Sequence, residues 1–158
     1  MLDAAGSRGL RTLHHRTVPG TDVVIDHLVV SPNGIWLVVA QPAPEGRVER
    51  RDIGDWFTPE PRLFVGDTDR TAIVVRTRAI DAAIGGALSG ALLESVPRYR
   101  MICFTEALPG WMDRPFPFDD VWITWSRHLV EPMLATTHLA PPARQEIYTY
   151  LDTAVPSL

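Results

Sequence analysis

The chain of 158 residues contains no lysine, so all 15 of its basic residues are arginine. Schiff-base chemistry and phosphate-loop nucleotide hydrolysis both use a lysine, and this composition excludes them. The single cysteine, Cys103, rules out an internal disulfide and suits a reducing compartment. The first residues lack the basic and apolar regions of a signal peptide. We therefore expect a cytoplasmic protein.

Long hydrophobic runs are also scarce. The longest uncharged stretch, residues 28–44, contains the turn sequence Ser31-Pro32-Asn33-Gly34. Residues 82–93 form the next such stretch, well short of the roughly 20 residues that a membrane-spanning helix needs. The net charge of −4 gives no overall attraction to nucleic acid or to an anionic membrane. We therefore predict no membrane contact, while a local basic patch stays open.

The order of strand-like and helix-like segments predicts the fold class. β-Branched and apolar runs predict strands over residues 12–18, 23–30, 35–40, 47–53, 62–65, 99–105 and 121–125. Apolar residues at helical spacing predict a helix over residues 71–93 with Asp69 as its N-cap, a short helix from Ser126 to Met133, and a last helix over 142–154. The sequence thus predicts an α/β fold with a mixed central β-sheet flanked by helices. We expect one domain over residues 1–158, with residues 126–158 as a C-terminal helical extension packed on it.

Four short motifs carry a family resemblance. The motifs are Ile25-Asp26-His27-Leu28-Val29-Val30, the hairpin Pro32-Asn33-Gly34-Ile35-Trp36, Gly46-Arg47-Val48 and Leu63-Phe64-Val65-Gly66. Over roughly residues 10–130 the chain resembles the nuclease-related domain (NERD) family, in its actinobacterial form. That family belongs to the PD-(D/E)xK restriction-endonuclease-like superfamily. The resemblance implies a restriction-endonuclease-like core and a metal-dependent nuclease site.

The hairpin allows that site to be located. With the loop centred on Pro32 and Asn33, and without a bulge, residues that face each other have numbers summing to 65. Asp26 then lies opposite Val39, with Gln41 diagonal to it on the same face. The resemblance implies metal-binding acids at positions 26 and 39 and a lysine at 41. Asp26 matches, whereas Val39 and Gln41 do not, so we predict a catalytically degenerate domain that acts as a nucleic-acid-binding or protein-binding module.

Two alternatives stay open. An active DNA nuclease or other phosphodiesterase could use a rebuilt site in which Asp26 and Glu49 bind Mg²⁺ or Mn²⁺ beside Gln41. A structural subunit could instead dock on a partner through the proline-rich loop from Leu108 to Phe118, which contains Trp111. We expect no cofactor unless the cleavage site is active. If it is degenerate, Asp26 is expected to be held by backbone N–H groups or by Arg16.

Other candidate residues are few. Arg47, Arg50 and Arg51 cluster after the hairpin and predict phosphate contacts if they lie beside the old active face, or a solvated strand edge if they do not. Histidines 14 and 15 alternate along a strand and are not expected to bind one metal together. We expect Cys103, between two apolar residues, to be a buried and unreactive thiol.

Overall fold

A computed structural model describes residues 1–42, 46–88, 90–105 and 114–158, without the side chains of residues 91 and 92. Over these ranges the strands are β1 Arg11–Thr17, β2 Val24–Ser31, β3 Gly34–Gln41, β4 Val48–Asp52, β5 Pro61–Val65, β6 Thr68–Asp69, β7 Arg98–Phe104, β8 Phe116–Phe118 and β9 Val121–Trp125. The α-helices are α1 Thr71–Ala87, α2 Ala91–Glu94 and α3 Pro141–Ala154. Single 3-10 segments cover Asp3–Arg8, Ser126–His128 and Pro132–Leu134.

The strands form two sheets. The larger has six strands in the order β1-β2-β3-β7-β9-β8, and the smaller has three in the order β4-β5-β6. β1, β2 and β3 are antiparallel, whereas β3, β7 and β9 run parallel. The chain passes through the small sheet and α1 between β3 and β7. A mixed sheet with helices against it confirms the predicted α/β class.

Both faces of the large sheet are covered, which explains the unbroken apolar run of β3. Leu37 and Val39 belong to one core cluster, which also contains residues of α1, α3 and the small sheet. Trp36 and Val38 belong to a second cluster on the other face, with Leu2 of the N-terminal segment. Alternation along a strand therefore sends successive side chains into two separate cores.

The hairpin between β2 and β3 has the predicted register. Its paired residues run from Ser31 opposite Gly34 to His27 opposite Val38, and every pair sums to 65. Asn33 is buried in the turn, and its side-chain oxygen accepts hydrogen bonds from Ser31 Oγ at 2.7 Å and Trp36 Nε1 at 2.9 Å. Its amide nitrogen donates to the carbonyl oxygen of Pro132 at 2.7 Å. The turn is therefore fixed from both sides, and no bulge shifts the strands.

The predicted helix over residues 71–93 is confirmed up to Ala87 and is wrong only in its last part. α1 ends at Ala87, and a separate turn of helix, α2, begins at Ala91. Gly90 is extended, with φ 170°, and glycines weaken a helix by roughly 1 kcal/mol each, so the glycine-rich end does not continue it. The N-cap is Arg70 rather than Asp69, although Asp69 Oδ1 still accepts the Thr71 N–H at 2.8 Å.

The last 33 residues lie against the large sheet. The predicted helix from Ser126 to Met133 is wrong: two 3-10 turns form instead, because Pro132 has no N–H to continue a helix from the first turn. α3 contacts β1 and β2, and its buried Ile147 and Leu151 join the first core. None of the helices in the described ranges is long and apolar enough to cross a membrane.

The C-terminal tail pairs with the outer edge of β1. The Thr17 N–H donates to the Pro156 carbonyl at 3.0 Å, and the Leu158 N–H donates to the His15 carbonyl at 2.9 Å. Ser157 forms an antiparallel bridge with Arg16. His15 has a φ of 47°, and β1–β2 pairing skips it, so its backbone deviates from the strand at this point.

Candidate functional site

Asp26 and position 39 are neighbours across the hairpin, as the register predicts. Asp26 lies on β2 one residue before the pair that joins His27 to Val38, and Val39 follows Val38 on β3. Val39 is 2% exposed, within the first core. An isopropyl side chain supplies no metal ligand, so this position contributes nothing to a cation beside Asp26.

The Asp26 carboxylate has a backbone partner. Its Oδ2 accepts a hydrogen bond from the N–H of Ala40 at 3.0 Å. Arg16, the other expected partner, instead binds Asp152 at 2.6 Å and the carbonyl oxygen of Val155 at 3.2 Å. Of the two partners expected for Asp26, a backbone N–H group is the one that the structure shows.

Gln41 lies at the end of β3, beside Phe104 of β7. Its carbonyl oxygen accepts the Thr105 N–H at 3.0 Å, which extends the parallel pairing one residue beyond β7. The carboxyl ends of parallel strands are where open α/β sheets bind ligands. Gln41 is therefore at the carboxyl-terminal edge of the parallel strands, and its side chain is neutral.

Glu49, the second acid of the alternative metal site, pairs with an arginine in the small sheet. It lies on β4 in the small sheet, and its Oε1 contacts Arg51 Nε at 2.5 Å. Arg51 also donates to the Gly66 carbonyl at 2.9 Å and lies over the Phe64 ring at 4.6 Å. In the part of the chain that the structure describes, no three His, Cys, Asp or Glu side chains come together to hold a metal ion.

A cavity of about 380 Å³ opens between β4 and the end of the large sheet. Three arginines line it together with Glu49, and two of the arginines, Arg47 and Arg50, were predicted. The third is Arg114, which is exposed and makes no ion pair with any described residue. Phe116 and Trp125, with ring centroids 6.3 Å apart, line the same cavity.

The predicted arginines differ in the groups that they contact. Arg50 lies 5.4 Å above the Phe118 ring and 3.8 Å from the Asp119 carboxylate, a loose ion pair. Arg51, by contrast, is turned to Glu49 and does not line the cavity. Of the predicted cluster, Arg47 and Arg50 therefore line the cavity and Arg51 does not. Arg114 is the third arginine that lines it.

A second, smaller cavity of about 190 Å³ lies on the opposite face of the sheet. There the His14 Nε2–H donates to Asp3 Oδ1 at 2.8 Å, and the Nδ1 atoms of His14 and His27 are 2.8 Å apart. When both rings are neutral, the Nδ1–H of His27 donates to His14. Burial lowers the pKa of His27, and the His14 ring lowers it further.

Cys103 lines this second cavity and is buried, as predicted. Burial raises the pKa of its thiol to about 11, although a hydrogen bond with Ser126 opposes the shift. A thiol with this pKa is protonated at neutral pH and is a poor nucleophile.

Two predicted regions are not described. Glu45 and residues 106–113, which include Trp111, lie outside the described residues. Of the docking loop from Leu108 to Phe118, the structure describes only residues 114–118, and the last three form β8.

Among the residues that the structure describes, the most exposed aromatic side chains lie elsewhere and were not predicted. Trp56 is 93% exposed and Phe57 is 89% exposed, in the loop between β4 and β5. No periodic pattern surrounds them, since the flanking residues are turn formers. The feature of the sequence that could have indicated their exposure is that two large aromatic residues stand together among turn-forming residues.

No protein-family model, no curated protein and no solved structure matches the chain.

Proposed function

We propose that this chain is a nuclease-related domain without metal-dependent cleavage, which binds nucleic acid through the cavity rimmed by Arg47, Arg50 and Arg114. The observation that carries the proposal is this cavity, which three arginines and the partly exposed Phe116 line together with one acidic residue, Glu49. Guanidinium groups bind phosphate oxygens in pairs, and aromatic rings stack with bases. Its volume of about 380 Å³ is within the range of small-ligand sites.

The loss of cleavage is supported by the hairpin. Asp26 has a buried valine as its cross-strand neighbour and already accepts a backbone hydrogen bond. One remaining carboxylate binds Mg²⁺ poorly, since this ion releases its water reluctantly. The rebuilt-site alternative loses support because Glu49 is paired with Arg51 and lies in a different sheet.

The resemblance to a restriction-endonuclease-like core is part of this proposal. Its support is the mixed sheet and the β2–β3 register, which brings positions 26 and 39 together and leaves Gln41 at the open edge. These are the positions at which the resemblance implies a cleavage site.

The test is oligonucleotide binding measured by fluorescence anisotropy over a series of salt concentrations. Three phosphate contacts predict a slope of log affinity against log salt of about −2 for single strands. Arg50→Gln and Arg114→Gln should each weaken binding and reduce the slope by about 0.7. Arg76→Gln is the matched control, because Arg76 is exposed on α1 and does not line the cavity.

Cleavage is measured on the same oligonucleotides with Mn²⁺ or Mg²⁺. We expect no product above the level of Asp26→Asn. Metal-dependent product that Asp26→Asn abolishes would show that the site is active and would contradict the degenerate assignment. An oligonucleotide affinity that is unchanged in both Arg50→Gln and Arg114→Gln would contradict the proposed binding site.

A further inference from the structure

The loop between β4 and β5 presents two adjacent aromatic side chains to solvent. Trp56 and Phe57 are almost fully exposed, and Ile53 beside them is 55% exposed. Aromatic residues dominate the energetics of protein interfaces, and tryptophan is the most enriched of all side chains at hot spots. This cluster of exposed apolar side chains indicates a contact surface.

The loop is held rigidly by two carboxylates. Asp55 Oδ1 accepts the N–H groups of Phe57 and Thr58 at 2.9 and 2.7 Å, and the Thr58 hydroxyl at 2.7 Å. Asp52 Oδ1 accepts the N–H groups of Gly54 and Glu60 at 3.1 and 2.7 Å. The aromatic pair is thus preorganised, which lowers the entropy lost on binding.

Gly54 makes this compact loop possible. A methyl group at its Cα would overlap the carbonyl oxygen of Thr58 and crowd the N–H of Glu60. The chain therefore folds back on itself at Gly54, and Trp56 and Phe57 are left outside the loop.

The charges of the loop restrict what it can bind. Asp52, Asp55 and Glu60 are exposed, and no basic residue lies among residues 52–60, although Glu60 pairs with Arg62 of β5. These carboxylates repel phosphate backbones and anionic lipid headgroups. The complementary surface has an apolar floor for the aromatic pair and a basic rim for the acids.

The chain carries such a surface itself. The cavity lined by Arg47, Arg50 and Arg114 has Phe116 and Trp125 in its wall. It lies beside residues 47–50, in the first part of β4, whereas the aromatic loop follows the end of the same strand. Trp56 and Phe57 are almost fully exposed, so they do not occupy the cavity of their own chain.

We propose that Trp56 and Phe57 of each chain insert into the arginine-rimmed cavity of a second copy. Two β4 strands arranged antiparallel about a twofold axis place each loop at the other copy's cavity. Such a contact uses the same two surfaces on both copies and closes as a dimer. The acidic loop then lies between the arginines, which steers association and fixes the orientation.

The buried area is sufficient for a stable dimer. Each aromatic side chain removes about 150–250 Å² from solvent, so four of them remove roughly 600–1,000 Å². The receiving surfaces lose a similar area, which brings the total to about 1,200–2,000 Å², the standard size of a specific interface.

Sedimentation velocity on the untagged full chain at micromolar concentrations tests the proposal. We expect a dimer for the wild type and a monomer for the double variant Trp56→Ser/Phe57→Ser, with Kd raised at least about tenfold. Val75→Ser is the matched control, because Val75 is also an exposed apolar residue, on α1, and should leave the dimer intact. A wild type that stays monomeric at about 100 µM overturns the proposal, whatever else the loop binds. A double variant that remains dimeric also overturns it.

Mixing a loop variant with a cavity variant tests whether the loop of one copy inserts into the cavity of the other. Trp56→Ser/Phe57→Ser keeps the cavity, and Arg50→Glu/Arg114→Glu keeps the loop. Each should be monomeric alone, and the mixture should form a heterodimer held by one insertion. Should the arginine variant not fold by circular dichroism, Arg114→Glu alone replaces it, since Arg114 is exposed and makes no ion pair among the described residues. Absence of the heterodimer contradicts the model of loop insertion.

The dimer and the proposed nucleic-acid site share one cavity, and the loop variant separates them. Trp56→Ser/Phe57→Ser should bind oligonucleotide at least as tightly as the wild type, because the cavity is uncovered. If the dimer forms but no oligonucleotide binds, the proposed function fails and the dimer stands. If oligonucleotide binds a wild type that is always monomeric, the dimer fails and the proposed function stands.

Discussion

His14 and His27 lie directly opposite each other on β1 and β2, and their Nδ1 atoms share a hydrogen bond at 2.8 Å. This contact needs one donor and one acceptor, so protonating both rings would turn two donors towards each other. Asp3 fixes the orientation of His14 from the far side of the ring. The folded protein therefore favours a pair of rings that is not doubly charged.

Acid should weaken the fold through His27. Burial and then His14 lower its pKa below the 6.5 of free histidine, so the unfolded chain binds a proton that the folded chain does not. The contribution to the free energy of unfolding is complete above pH 6.5 and decreases as the pH falls below it. Urea unfolding at several pH values measures this. His27→Asn should flatten the slope just below pH 6.5, whereas His138→Asn, at an exposed site, should not.

An acid at position 39 should destabilise the fold and create a metal response. Val39 is buried, so Val39→Asp places a carboxylate in the core at a cost of about 3 kcal/mol or more without metal. With Asp26 as cross-strand neighbour, Mn²⁺ should recover part of this loss by binding the folded state. Differential scanning calorimetry with EDTA or Mn²⁺ compares the melting temperatures. Val39→Asn should lose stability similarly without any recovery, and recovery in Val39→Asn would refute the paired-carboxylate explanation.

Asn33→Ala should be among the most destabilising single changes in the hairpin. It removes three hydrogen bonds and leaves the buried indole N–H of Trp36 without its acceptor. A buried group that loses its partner costs about 1–3 kcal/mol, so we expect a loss of about 3 kcal/mol. The urea midpoint gives this value. Thr21→Ala, which removes the two hydrogen bonds of one hydroxyl group in an exposed turn, should cost about 1 kcal/mol. Equal losses at the two turns would contradict the role assigned to Asn33.

Cys103 should react slowly with thiol reagents. Its pKa of about 11, against 9.0 for a free thiol, reduces the thiolate fraction at pH 8 about a hundredfold. Labelling with Ellman's reagent in native buffer should therefore be at least that much slower than in urea, and burial of the sulfur slows it further. Fast labelling of the native protein would indicate an accessible thiolate.

The hairpin could be predicted in detail because its determinants are local. Pro32, Asn33 and Gly34 define a short turn, and a turn of fixed length sets the register of both strands. The placement of Asp26 beside Val39 follows from this register alone. The apolar run of β3 likewise predicted a strand buried on both faces.

The cavity could not be predicted because its parts come from distant segments. Arg114 joins Arg47 and Arg50 only because β8 pairs with β9 and packs near the small sheet. Arg51 was grouped with them by sequence proximity, yet alternation along β4 turns it towards Glu49. The end of α1 was predicted too late for another reason. The apolar residues keep their helical spacing beyond Ala87, but the glycines there allow an extended backbone that ends the helix.

The tail that pairs with β1 has a consequence for how the large sheet can grow. With Pro156 and Leu158 bonded to Thr17 and His15, part of the outer row of backbone groups on β1 is already occupied. Another strand would have to displace residues 156–158 before it could add to that side. Residues 156–158 thus block the addition of another strand at this part of β1.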